Sequence, residues 1–272
     1  MRKVLLFSPN GYAGGFIKER LAKEKGIQLY EMTREGILNP SQADYDVLVY
    51  SAAVTSARNE TARKYVQDNV VAAVSMVDLC KKCSVERIIY LSSDEIYGEL
   101  NVDRVSDRTV MVNPNIYATT KYLAEKIIIE SGIPYFILRL PGLVGRIWGR
   151  NFIYGVMEKI KSNAQVDLYN LDKKFNNILH IDDLTEFITV LCNIRIKASE
   201  ILLLGNTECV RLSDMVTYMK ELYHSSSIIN HMAVEGRRYF TLDVAKAVEY
   251  GYHSKKIMAI IDDLYQIRER QE

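Results

Sequence analysis

Short apolar runs alternate with helical patterns through the first half of the chain. Lys3 to Phe7 reads as a strand and Gly15 to Lys25 as a helix. Ile27 to Met32 is a second strand, Asp46 to Ser51 a third, and a long helix follows. In that helix Val66, Val70, Val74, Val77 and Cys80 recur at steps of three and four, the spacing of one buried stripe. Arg87 to Ser92, the helical stretch Tyr117 to Glu130 and the run Pro134 to Leu140 continue the alternation. Strands separated by helices imply a parallel sheet covered on both faces, with ligands beyond the carboxyl ends of the strands. The pattern predicts a doubly wound α/β core.

After Gly145 the rhythm changes. Asn151 to Lys161 is helical, Gln165 to Tyr169 strand-like, and Ile178 to Ile181 a short strand leading into a helix from Leu184. Small helices and loops fill the stretch from about Glu200, and no repeat or flexible linker divides the halves. The expected organisation is a core over 1–145, to which 171–199 returns, and a small lobe from 146–170 and 200–272.

Composition narrows the classes. With 272 residues, 48% of them hydrophobic and 25% charged, the chain can bury a sizeable core and is not a disordered or collagen-like sequence. The 35 basic and 34 acidic residues leave a formal charge of +1, so no global field recruits nucleic acid and any anionic ligand must be held locally. No apolar run approaches the roughly 20 residues of a membrane span. The apolar start ends at Ser8-Pro9-Asn10, too short for a signal peptide, so a cytoplasmic protein is expected. Cys80 and Cys83 have CxxC spacing, but they close a helix, and no second pair completes a metal site; no metal is expected.

Three segments carry candidate chemistry. After the first strand, Ser8, Gly11 and Gly14 stand where a GxxGxxG turn has its glycines, a turn that brings backbone N–H groups and a helix N-terminus to a pyrophosphate. Ser8 replaces a glycine, and Pro9 has no N–H to offer. Tyr117 and Lys121, four apart on a helix, share a face. A phenol titrates near pH ~10, and an ammonium beside it lowers that value toward the working range of an acid–base group. Ser92-Ser93-Asp94-Glu95 ends a strand, where ligands sit.

These segments, with Asp46 to Ala53, Asn69-Val70, Tyr97-Gly98, Leu138-Arg139, Asn151-Phe152, His180 to Asp183 and Leu242 to Lys246, follow one another as in a known family. The chain resembles the extended short-chain dehydrogenase/reductases, which are nucleotide-sugar epimerases, dehydratases and 4-keto reductases. The resemblance implies a Rossmann-type doubly wound sheet with an interleaved substrate lobe. It implies Tyr117 as the acid–base residue, Lys121 as its pKa-lowering partner and holder of the nicotinamide ribose, and Ser93 as hydrogen-bond donor to the reacting oxygen. Ser8, Gly11, Tyr12, Gly14, Ala52, Ala53 and Asn69 would line the dinucleotide, and Asn151 the substrate. Hydride would pass between a sugar C4 and the nicotinamide. Ser93-Asp94-Glu95 also resembles the Thr-Asp-Glu of 4,6-dehydratases, in which Asp and Glu serve as acid and base. The reading favours a C4 reductase or epimerase, with the dehydratase and a non-catalytic dinucleotide-binding protein as alternatives. Family members dimerise through the Tyr–Lys helix and the long helix before it, so a homodimer is expected, and polysaccharide synthesis is the pathway suggested.

The chain also departs from that pattern. Gly142 stands at a usual substrate-binding Asn, and Asn176 at a usual Arg, which would leave Arg237 or Arg238 to meet the pyrophosphate. The segment between the second strand and Asp46 is too short for the usual extra strand and helix. Glu31 and Arg34 both follow the second strand, where an acid would bind the ribose of NAD and an arginine the 2′-phosphate of NADP. The cofactor is NAD or NADP, with Arg34 favouring NADP.

Overall fold

The apolar runs of the first half become strands of one parallel sheet. In the computed structural model, residues 1–33, 44–52, 55, 60–149, 151–233 and 238–271 are described. The chain begins β1 (Arg2–Phe7), α1 (Tyr12–Ala22), β2 (Ile27–Met32) and β3 (Val47–Tyr50). The long helix comprises α2 (Ala62–Tyr65), a π-helical turn at Val66–Val71 and α3 (Ala72–Lys82). Then come β4 (Arg87–Ser93), β5 (Asn101–Val105), α4 (Ile116–Glu130) and β6 (Tyr135–Leu140). β7 (Gly142–Val144), α5 (Phe152–Lys161), β8 (Val166–Leu168), β9 (Lys174–Phe175), β10 (Ile178–His180) and α6 (Ile181–Asn193) follow. β11 (Glu200–Leu203), β12 (Val210–Arg211), α7 (Leu212–Leu222), β13 (Ile229–His231), β14 (Tyr239–Leu242), α8 (Ala245–Glu249) and α9 (Ile257–Glu269) complete the fold.

The central sheet has the order β11-β6-β4-β3-β1-β2, every neighbour parallel. Side chains alternate across it, as the two-residue strand period requires. Val4, Leu6, Val47, Val49, Ile89 and Leu91 pack with Ile17 of α1 and Phe187 of α6. Leu5, Phe7, Leu48, Tyr50, Ile88 and Tyr90 pack with Met76 of α3 and Ile128 of α4. This is the doubly wound, Rossmann-type core expected. From β1 the chain runs to β2 on one side and then to β3 on the other, so the switch point lies at the carboxyl ends of β1 and β3. Among the described residues β2 pairs with β1 alone, in keeping with a trimmed crossover; residues 34–43, which hold most of it, lie outside the described residues.

A separate apolar cluster joins α5, β8, α7 and α9 into a small lobe, and the parallel pair β14–β5 ties the lobe to the core. One boundary moves. Glu200–Leu203, read as part of the lobe, pairs with β6 and extends the core sheet, because Leu202 and Leu204 belong to the core's apolar face.

The stripe from Val66 to Cys80 divides. Val77 and Cys80 are buried, but Val66 and Val74 are 43% and 45% exposed. Val77 and Cys80 lie on the inward face of α3 with Ala73 and Met76, whereas Val74, in the same helix, lies on its outer side, and Val66 precedes α3 in the π-helical turn, whose extra residue shifts the helical phase. Positions three and four apart across that turn no longer share a face. The cysteines at 80, 83 and 192 are buried free thiols, and burial pushes the Cys80 thiol up to about 12, away from the thiolate form.

Candidate active site

β1 ends in a turn that the sequence shapes tightly. Ser8 takes a left-handed φ of 67°, a conformation costly for any residue but glycine, and the Ser51 hydroxyl holds the turn by donating to the Phe7 carbonyl at 2.8 Å. A Cβ at Gly14 would stand 2.0 Å from the Ser8 oxygen, so the turn closes only over glycine. Gly11 is the N-cap of α1, which has no side-chain cap, and a Cβ there would meet nothing nearer than the Ser8 hydroxyl at 3.6 Å. Uncapped N–H groups behind an unobstructed glycine fit a pyrophosphate. The Tyr12 hydroxyl donates to the Gly145 carbonyl at 2.9 Å, so α1 is tied to the segment that follows β7.

β4 ends at Ser93, whose hydroxyl accepts from the Glu95 N–H and opens a 3₁₀ turn over Asp94–Tyr97. Asn115 caps α4 by accepting from the Ala118 N–H at 2.8 Å, which puts Tyr117 in the first turn of the helix. Tyr12, Ser93, Asp94, Glu95, Tyr117, Lys121 and Asn151 line one cavity of about 440 Å³ beside the switch point. Ser51 and Thr55 lie on its wall as well.

The electrostatics differ from the sequence reading. Burial, Glu95 and Asp94 raise the Tyr117 pKa, and only a hydrogen bond with Ser93 opposes them. Lys121 is fully buried, donates to the Leu91 carbonyl and lies over the Tyr90 ring at 4.1 Å. Burial lowers its pKa to about 7, against the attraction of Glu125. Lys121 is not among the groups that shift Tyr117, and its ammonium is held by the Leu91 carbonyl. Asp94 is raised to about 6, first by burial and then by Glu95, while Arg238 and Asn177 pull the other way.

A buried pair went unseen in the sequence. Glu125, fully buried, accepts from the Arg139 guanidinium at 2.8 and 3.2 Å and from the Ser92 hydroxyl, one helical turn beyond Lys121. Arg139 also donates to the Tyr97 hydroxyl at 3.0 Å. The signal was present: a lone acid on the buried face of α4 and a lone cation inside an apolar strand each need a partner.

A second cavity, about 490 Å³, opens toward the lobe, lined by Arg238, Lys173, Lys174, Tyr169, Phe175 and Tyr239, among others. Arg238 lies over the Phe240 ring at 4.9 Å, with a guanidinium nitrogen 4.0 Å from Asp94. The two lysines were not singled out in the sequence. Asn176 is no ligand-facing substitute for an arginine. It is buried, accepts from the Leu242 N–H at 2.9 Å, and donates to the carbonyls of Leu242 and Asn206.

Ala52 is buried with the α3 face of the sheet, and Asn69, in the π-helical turn, donates to the Thr120 hydroxyl at 3.1 Å. Arg34, Ala53 and Arg237 lie outside the described residues. Glu31, at the end of β2, pairs with Lys18 at 2.8 Å.

Comparison with known proteins agrees with this fold. A UDP-glucuronic acid 4-epimerase from Bacillus cereus, solved with UDP-glucuronic acid and NAD, superposes with a TM-score of 0.82 at 18% identity, over 99% of this chain and 100% of that one. A dTDP-D-glucose 4,6-dehydratase of Dictyostelium discoideum is 25% identical over 170 residues, 54% of this chain and 38% of the relative. A UDP-glucose 4-epimerase of Caenorhabditis elegans is 30% identical over 97 residues, 34% of this chain and 28% of the relative. The chain thus matches well under half the length of these two relatives. The profile of the NAD dependent epimerase/dehydratase family matches residues 17–205. The chain belongs to the NAD dependent epimerase/dehydratase family.

Proposed function

We propose that the protein oxidises and reduces C4 of a nucleotide-linked sugar, as an epimerase or 4-keto reductase. The observation that carries this reading is the meeting of Ser93, Tyr117 and Lys121 in one cavity, beside the uncapped α1 N-terminus and its Gly14 cradle. NAD, when bound, supplies the hydride acceptor and donor. Tyr117 Oη exchanges the proton of the C4 hydroxyl. With its pKa raised, the phenol is held as the acid that protonates a carbonyl oxygen on reduction. Ser93 Oγ orients that oxygen. Lys121, anchored on the Leu91 carbonyl beneath the cavity, fixes the floor of the nicotinamide ribose site. Arg238, Lys173 and Lys174 supply positive charge for a diphosphate in the lobe cavity.

A second reading rests on Asp94. A carboxyl raised to about 6 beside Glu95 suits an acid working with a base, as 4,6-dehydration requires. Homodimerisation through the outer face of α3 and α4 goes with the same proposal, as do a cytoplasmic setting and a part in polysaccharide synthesis.

The test is to denature the purified protein and identify released dinucleotide by mass, then to assay UDP- and dTDP-hexoses for C4 inversion and for 4-keto-6-deoxy products. Retained NAD with C4 inversion is the epimerase result. An empty site that takes up NADH or NADPH and reduces a 4-keto sugar is the reductase result. Loss of water across C5 and C6 moves the function to the second reading. Failure to bind either nucleotide overturns both.

A further inference from the structure

Three consecutive residues of β4 have three different tasks. The Leu91 carbonyl accepts from the Lys121 ammonium, the Ser92 hydroxyl donates to the Glu125 carboxylate, and Ser93 lines the Tyr117 cavity. Lys121 and Glu125 stand one turn apart on α4, a spacing that sets two side chains next to each other, and both are fully buried. One carboxylate thus adjoins the Lys121 ammonium and, through Ser92, the strand end that carries Ser93. Arg139 of β6 holds the same carboxylate and reaches on to the Tyr97 hydroxyl and the Asp107 carbonyl, at 3.0 and 3.4 Å.

A buried ammonium keeps its proton only where a neighbouring anion offsets the lost hydration. The groups packed around Lys121 narrow that anion to one. From β4, Tyr90 presents its ring face, and burial holds its phenol far above the usual range. On α4 itself the Tyr117 phenol is raised as well, so neither tyrosine supplies a negative charge. From the helix alongside, Tyr65 packs on Tyr117 at 5.9 Å, and Asp68 of the π-helical turn is paired with Lys64. Asp94 and Glu95 of the 3₁₀ turn act on Tyr117. Glu125 is the charge that favours protonated Lys121, against a burial that lowers its pKa to about 7.

We propose that Glu125 is a positioning residue of the C4 reaction: it keeps Lys121 an ammonium at neutral pH, and so a hydrogen-bond donor to the nicotinamide ribose. This rests on the reading of the Tyr117 cavity as a dinucleotide site. A neutral amine donates weakly, so dinucleotide affinity falls as Lys121 loses its proton, and without the Glu125 charge that fall comes at lower pH. The test titrates NADH by fluorescence between about pH 5.5 and 8.5 into wild type, Glu125→Gln and Lys121→Met, each freed of any retained dinucleotide. NMR of lysine labelled at Cε follows the Lys121 proton directly, its signal being the one missing from Lys121→Met, and the thermal midpoint is the control for folding.

Wild-type affinity is expected to weaken from about pH 7 upward. Glu125→Gln is expected to match wild type near pH ~5.5 and to bind about fivefold more weakly near pH ~7.5, the effect of moving one pKa by about a unit. Its Lys121 signal titrates at correspondingly lower pH. Asp94, which titrates at about 6, is present in all three proteins, so its share of the slope is common to them. Should Glu125→Gln fail to fold with Arg139 left unpaired, Glu125→Gln with Arg139→Met decides by the same shift. A wild-type affinity flat across this range, a loss in the variant equal at every pH, or a Lys121 signal that titrates as in wild type gives Glu125 a structural part alone; each overturns the inference and leaves the C4 reading standing. Failure of wild type to bind NADH or NADPH at any pH overturns both together.

Discussion

The Lys121 ammonium lies 4.1 Å from the centre of the Tyr90 ring and donates to the Leu91 carbonyl. It is thus held by the sheet beneath the site rather than by the phenol it was expected to tune. Burial lowers its pKa to about 7, below the ~10.4 of an unfolded lysine. Between those values the folded chain binds fewer protons than the unfolded one, so stability rises with pH, by up to about 1.4 kcal/mol per unit from this group. Below pH ~7 both states hold the proton, and this slope vanishes. Lys121→Met is expected to flatten the rise of the thermal midpoint between about pH 7.5 and 9.5. Identical slopes for the two proteins would show that Lys121 is charged throughout.

Behind Lys121, the Glu125–Arg139 pair is sealed from water, with side chains 0% and 5% exposed. Breaking such a pair leaves an uncompensated buried charge, at about 3–5 kcal/mol, whereas replacing both partners by apolar groups is often neutral. Glu125→Leu alone is expected to destabilise by that order in urea unfolding, and Glu125→Leu with Arg139→Met to recover most of the loss. A double variant as unstable as the single one would place the cost in packing rather than in charge.

How far these features were legible follows from what each depends on. The strands Val4–Phe7, Val47–Tyr50 and Arg87–Ser93 were plain because a sheet covered on both faces demands unbroken apolar runs. The π-helical turn was invisible because it is a shift in backbone hydrogen bonding that no side chain announces, and the stripe read from Val66 to Cys80 ran across it. β5 and β14 were missed because their pairing joins segments far apart in sequence, and β5 is exposed at four of its five positions, three of them polar. Tyr117 and Lys121 were found by their spacing, and Ser93 by its place at a strand end and the family resemblance, but the partners of the Lys121 ammonium, Tyr90 and Leu91, are in no spacing rule.

Asp94 makes the site a place of lower stability. Its pKa is about 6 in the fold against about 3.9 unfolded, so its stabilising contribution is complete at low pH and is lost as pH rises through 6. At neutral pH the buried carboxylate costs up to about 3 kcal/mol, two units at about 1.36 kcal/mol each. Asp94→Asn is expected to raise the midpoint at pH 7.5 and to lose that advantage near pH 4. It also separates the functional readings: C4 inversion survives in the variant if Tyr117 does the proton work, and elimination of water does not. A variant less stable than wild type at pH 7.5 would mean that the Arg238 and Asn177 contacts outweigh burial.

Tyr117→Phe removes the proton-exchanging hydroxyl and keeps the ring packed on Tyr65, 5.9 Å away. Turnover is expected to fall by about 10²–10⁴-fold, the usual worth of a positioned acid–base group. Bound NAD and the thermal midpoint should stay near wild type. Full activity in this variant would remove the mechanism, while retained dinucleotide with no activity in either protein would support a binding role.

Val66, Val74, Ile116 and Leu123 are 43%, 45%, 47% and 47% exposed, all on the two long helices that flank one side of the sheet. Core packing does not use them, since the inward faces of the same helices carry Ala73, Met76, Ala124 and Ile128. On the homodimer proposed above, these exposed apolar side chains would lie in the contact between copies. Two such faces brought together about a two-fold axis give four antiparallel or crossed helices, an isologous contact. Wild type is expected to scatter light as a dimer at micromolar concentration, and Val74→Glu, which places a charge in each half of that contact, as a monomer with unchanged circular dichroism and NAD binding. A wild-type monomer at tens of micromolar, or a Val74→Glu dimer, would assign these valines and their neighbours to bare surface.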